Sequence, residues 1–173
     1  MHMKKMAILA VALALTSASA MANGPAIGTP VEKFGMTIGA SYRSSMVMFP
    51  QSEAGGPVNA DLHLQADVHA LKGNANGYNA GEWISALGIT YELSKAGADF
   101  QDKGVLVPVA ADDGPHYGRN VKLAGPGIYH LVLHFNPPST NGFYRHTDKE
   151  TGVAAWWQPF SQEWNFTVGE AGR

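Results

Sequence analysis

The sequence predicts an all-β protein, an immunoglobulin-like antiparallel β-sandwich. Three observations carry that prediction. Polar and apolar residues alternate with a period of two along most of residues 23–173, no segment sustains an apolar stripe at helical spacing, and clusters of Gly, Pro and Asn interrupt the alternation at short intervals.

The elements follow in chain order. The string GMTIGASY, residues 35–42, is the first strand candidate. In DLHLQADVH, residues 61–69, Leu62, Leu64, Ala66 and Val68 share one face while Asp61, His63, Gln65, Asp67 and His69 share the other, as a strand with one buried face requires. LGITYEL puts Leu87, Ile89, Tyr91 and Leu93 on one side. GVLVPVAA, residues 104–111, contains Pro108, which cannot donate to a ladder and so demands an edge or a bulge. NVKLA, residues 120–124, is a further candidate. IYHLVLHF aligns Tyr129, Leu131, Leu133 and Phe135, and FSQEWNFTV aligns Phe160, Gln162, Trp164, Phe166 and Val168. About seven strands result, separated by turn-forming stretches at 72–82, 95–100, 124–127 and 137–142.

The first 22 residues differ from the rest. Lys4 and Lys5 precede the apolar run MAILAVALAL, and TSASAMA then offers small residues for cleavage, the layout of a secretory signal peptide over residues 1–22. One domain, residues 23–173, is expected to follow in the periplasm. The chain has no cysteine, which excludes disulfides and a lipid-modified Cys anchor. Losing Lys4 and Lys5 from 12 basic residues, against 14 acidic ones, leaves a mature net charge of −4 with His neutral. With no basic stripe to displace counterions from phosphates, no nucleic-acid partner is expected.

Six of the seven histidines remain after the leader: His63, His69, His116, His130, His134 and His146. Strand geometry separates His130 from His134 by roughly 13 Å and His63 from His69 by roughly 20 Å, so a single ion must draw its imidazoles from different elements. The best-placed are His63 in mid-strand, His116 in DDGPHYGRN on a stiff Gly-Pro turn, and His146 in the polar loop FYRHTDKETG, with Asp113 and Asp148 near enough in sequence to orient imidazoles. Spacing alone leaves a three-His centre and a set of independent surface histidines both open. The WWQPF cluster with Trp164 reads as packing or as a ligand platform, and Met46 and Met48 as thioether donors or fillers. Enzymatic motifs are missing: there is no G-x-S-x-G elbow, and the adjacent carboxylates Asp112 and Asp113 diverge instead of facing one substrate. A binding protein is expected, not an enzyme.

Three strings, DLHLQADVHALKGNANGYNAGEWI, DDGPHYGRN and RHTDKETGVAAWWQPF, together resemble the bacterial periplasmic high-affinity iron-transport accessory family over essentially the whole mature chain. The resemblance implies a copper-binding sandwich that pairs as a homodimer, holds metal ions near the dimer interface and assists an inner-membrane iron permease. The family's ligand histidines fall on His63, His116 and His146. Gln65 stands where the family usually has Glu, Val109 where it usually has a Met, and Glu53 where a second Met aligns. Exchanging thioether for carboxylate moves a site from soft toward harder donors, so Cu(I) loses most while Cu(II), iron, zinc or manganese lose less. The expected centre is therefore a remodelled copper-type site of His63, His116 and His146 with Glu53 and Gln65 as further oxygen donors. The alternative reading is a copper-dependent oxidase acting on ferrous iron.

Overall fold

The structure is a computed structural model and describes residues 24–169, so the expected leader lies outside the described residues. Eight strands follow one another: β1 (Val31–Lys33), β2 (Met36–Ser44), β3 (Leu62–Ala70), β4 (Gly88–Lys95), β5 (Gln101–Ala111), β6 (Gly114–Val121), β7 (Gly127–Asn136) and β8 (Phe160–Val168). Short 3-10 turns lie at Glu53–Gly55 and Pro138–Asn141. Among the described residues no helix is long and apolar enough to cross a membrane.

Every strand pair is antiparallel, in the order β1-β2-β3-β6-β5-β4-β7-β8. The two leaves of the sandwich are one sheet curled over on itself, because β5 belongs to both. Residues 101–106 pair with β4, and residues 107–111 pair with β6. Pro108 stands just past that transfer, exposed and opposite Tyr117.

The alternation read from sequence fills the interior. Leu62, Leu64, Ala66 and Val68 of one leaf are buried with Ile89, Tyr91, Leu93, Leu131, Leu133 and Phe135 of the other, each large side chain contributing about 1.5–3 kcal/mol by leaving water. Buried tyrosines keep their hydroxyls paired. Tyr117 donates to the Ile84 carbonyl at 2.8 Å and accepts from the Leu87 N–H at 3.0 Å. The WWQPF aromatics belong to the packing, with Trp157 and Trp164 in the core and Phe160 stacked on Phe135 at 5.0 Å.

Two sequence expectations need correction. DDGPHYGRN is a turn only at Asp112 and Asp113; Gly114 onward is strand β6, with Pro115 opposite Ala110 and His116 opposite Val109. A two-residue hairpin is enough to reverse the chain, Gly114 absorbing the bend at φ 118°. Of NVKLA only Asn120 and Val121 are in a strand, because β6 ends there.

The connection from β2 to β3 does not take the short way. It forms a strap, residues 45–61, lying against β6. Asn120 grips the backbone of Met46, and the Arg119 guanidinium donates to the carbonyls of Glu53 and Ala54, both at 2.8 Å. Beyond Gly118, β6 has lost β5 as a neighbour, and the Glu53–Gly55 turn packs against both strands where they part.

Candidate metal centre

On β2, β3 and β6 the residues that turn away from the core are Ser41 and Arg43, His63 and Gln65, and His116, Gly118 and Asn120. Register sets them side by side: Ser41 opposite Gln65 opposite Gly118, and Arg43 opposite His63 opposite Asn120. Facing outward, all but the half-buried Arg43 are nonetheless buried, with His63 and Gln65 at 1% exposure, Asn120 at 4% and His116 at 5%.

His63 Nε2 lies 3.3 Å from His116 Nε2, the rings meeting edge to face at 79°. The Gln65 side-chain nitrogen is 2.9 Å from His116 Nε2, and the Gln65 oxygen accepts from Ser41 Oγ at 3.2 Å. His63 Nδ1 is 3.0 Å from the Asn120 oxygen. The backbone of Gly114 hydrogen-bonds the His116 ring. Gly118 makes the meeting possible, because a Cβ there would stand 2.8 Å from His63 Cε1 and 3.2 Å from His116 Cδ2.

Burial pushes the pKa of both imidazoles below the ordinary value, with the neighbouring Arg43 cation adding to the effect. Both are neutral near pH 7, the form that offers a nitrogen lone pair to a metal. A stability prediction follows. The unfolded chain takes up protons near the ordinary histidine pKa of about 6.5 while the folded one resists, so the unfolded state binds more protons as pH falls. Metal-free protein is expected to hold its full stability above about pH 7 and to lose it as pH drops through and below about 6.5. His63→Gln should flatten that loss in urea unfolding measured from pH 8 to 5.

The other predicted site residues lie as follows. His146 is on the exposed loop between the second 3-10 turn and β8, its Nδ1 2.7 Å from Thr151 Oγ1 and 3.7 Å from Asp148. That loop leans on the turn after β3 through the Ala154–Ala75 and Asn76–Ala154 hydrogen bonds. His63 stands seven residues before the end of β3, roughly 23 Å away along the strand. One chain thus joins His63, His116 and Gln65 and leaves His146 apart. Among the described residues no three His, Cys, Asp or Glu side chains gather for a metal ion. Glu53 is exposed at the rim of a groove of about 500 Å³ lined also by Met46, Met48, Arg119 and Asn120. Val109 faces His116 across the ladder and lines a neighbouring groove with Met48. Asp113 forms a 2.6 Å ion pair with Arg43, and its charge acts on His116.

His69, His130 and His134 have local partners in Gly81, Glu163, and Ser161 with Glu92. Gly118, Asn120 and Ser41 belong to the cluster and went unnoticed in the sequence. Alternation from His116 through Gly118 to Asn120 is the signal that carries them, and the Gly114-Pro115 pair masks it.

Two neutral, buried and convergent imidazoles on an antiparallel all-β sandwich fit the class of transition-metal-binding β proteins. The chain belongs to the Fe2+ transport protein family, whose model matches residues 21–169. It is similar to the copper-bound Glu-to-Gln variant of FetP from uropathogenic Escherichia coli, at 43% identity and a TM-score of 0.81 over 85% of this chain and 98% of that one. The copper-bound Met-to-Ile variant of P19 from Campylobacter jejuni matches at 40% identity and a TM-score of 0.78, covering 83% of this chain and 96% of that one. A UPF0423 protein of Brucella abortus is 42% identical over 171 residues, 96% of this chain and 94% of its own length.

Proposed function

We propose that this chain is a periplasmic binding protein for a transition metal, copper in the first place, that serves iron uptake through an inner-membrane permease. The observation that carries the reading is the approach of two buried imidazole nitrogens to 3.3 Å. In the metal-free chain the Gln65 amide donates to His116 Nε2, and a cation in that place would take the lone pairs of both ring nitrogens at once. Gln65, turned about its terminal bond, would present oxygen in place of nitrogen to the same point. Copper-bound relatives with Glu replaced by Gln and with Met replaced by Ile support copper retention by a chain that carries Gln65 and Val109.

The remaining donors come from outside this cluster. Glu53 at the groove rim supplies a carboxylate, and His146 reaches a centre only from a second copy, so the reading includes a homodimer. Val47 and Phe49 of the strap, 96% and 98% exposed, are apolar surface for such a pairing. Sedimentation that finds only monomer at micromolar concentration would remove this part.

Calorimetric titration of metal-free protein tests the whole. Tight Cu(II) binding is expected, weakened in Glu53→Ala, with Cu(I) bound less well than by a Val109→Met variant that restores a thioether. Absence of Cu(II) binding sinks the metal reading; tight Cu(I) binding indifferent to both substitutions sinks the remodelled donor set.

A further inference from the structure

Asn120 is buried beside the imidazole pair, and each end of its carboxamide is engaged. The oxygen accepts from the Met46 backbone N–H at 3.1 Å, and the nitrogen donates to the Met46 carbonyl at 2.7 Å. This double grip settles which end is which. A backbone N–H can only donate and a backbone carbonyl can only accept, so turning the amide round would set donor against donor and acceptor against acceptor. The same oxygen lies 3.0 Å from His63 Nδ1. Being an acceptor only, it requires the proton of the neutral ring on Nδ1. Nε2 is then bare, and Nε2 is the atom that faces His116.

We infer that Asn120 is a positioning residue that fixes the tautomer of His63 and, through the same carboxamide, ties that ring to the strap at Met46. Free imidazole of histidine favours the proton on Nε2, the form that would block the metal-facing atom. Asn120 reverses that preference before any ion arrives. An acceptor aimed at the far nitrogen of a ligand imidazole commonly plays this part around metals. Here the acceptor is uncharged, so it orients the ring without placing an anion that would raise the His63 pKa against the lowering effects of burial, His116 and Arg43. The anchor of the strap and the tautomer lock are one group, so a strap lifted at Met46 also frees the carboxamide to turn. The tautomer assignment stands by itself; its consequence for metal capture rests on the function proposed above.

Long-range proton–nitrogen correlation spectra of metal-free, 15N-histidine-labelled protein at pH 8 read the tautomer directly, with His63→Ala identifying the signals. The wild-type spectrum is expected to show His63 protonated on Nδ1. Asn120→Ala should move the proton toward Nε2 and weaken Cu(II) binding by about 10–100-fold. Asn120→Asp keeps the acceptor but loses the donor to Met46. It should retain the Nδ1 proton and recover most of the affinity, while backbone amides around Met46 exchange faster. A wild-type His63 carrying its proton on Nε2 overturns the inference. So does an Asn120→Ala protein with unchanged tautomer and affinity. Should Asn120→Ala fail to fold, the wild-type spectrum and the Asn120→Asp protein decide. Wild-type protein with the Nδ1 proton in place but no affinity for Cu(II) would remove the proposed function and leave the assignment standing.

Discussion

Gly118→Ala is expected to abolish tight copper binding in a protein that still folds. The backbone at Gly118 is not in the left-handed region, so alanine is conformationally acceptable there. The conflict is with the two rings. A methyl group at Gly118 would press into His63 Nε2 and lie 3.2 Å from His116 Cδ2. Neither ring has room to withdraw, because Asn120 holds one and the Gly114 backbone holds the other. Forcing a methyl group into such packing costs about 1–3 kcal/mol, which thermal unfolding would show as a fall of about 2–4 °C for each kcal/mol in a chain of this size. Titration with Cu(II) should find no tight site. Wild-type affinity in Gly118→Ala would mean that the ion does not sit between these imidazoles.

Removing a ligand outright should have the next largest effect. His116→Ala is expected to weaken Cu(II) binding by more than the roughly 10–100-fold that loss of an outer hydrogen-bonding partner costs. Non-additivity is the sharper readout. If His63 and His116 share one ion, removing the second after the first should cost little, since the centre is already broken. Two independent weak sites would instead give losses that add. Competition with a chelator of known affinity, run on both single variants and the double, separates these outcomes.

Much of the fold was legible because strands such as β7 and β8 bury one face and turn the other toward water, which writes a period of two into the sequence. FSQEWNFTV corresponds to β8, and DLHLQADVH to β3 within one residue at each end. β6 was hidden for three physical reasons. Gly114, Pro115 and Gly118 are all poor strand formers, the positions sharing the face of Tyr117 and Val121 include the exposed Pro115 and half-buried Arg119, and the opposite face of His116, Gly118 and Asn120 is buried. No polar–apolar contrast survives such a strand. β1, three residues long, is too short for any period to show. The site was half visible: His63, Gln65 and His116 could be named one at a time. Gly118 and Asn120 matter only through register, since each acts on a ring that projects from another strand. Cross-strand neighbours are not written in linear order.

Because β5 is hydrogen-bonded into both leaves, the sandwich cannot behave as two plates sliding over one another. Any such shear would have to tear ladder bonds on one half of that strand or the other. The outer face bearing His63 and His116 is therefore a stiff anvil, and adjustment to an arriving ion falls to the parts not woven into the sheet, the strap first among them.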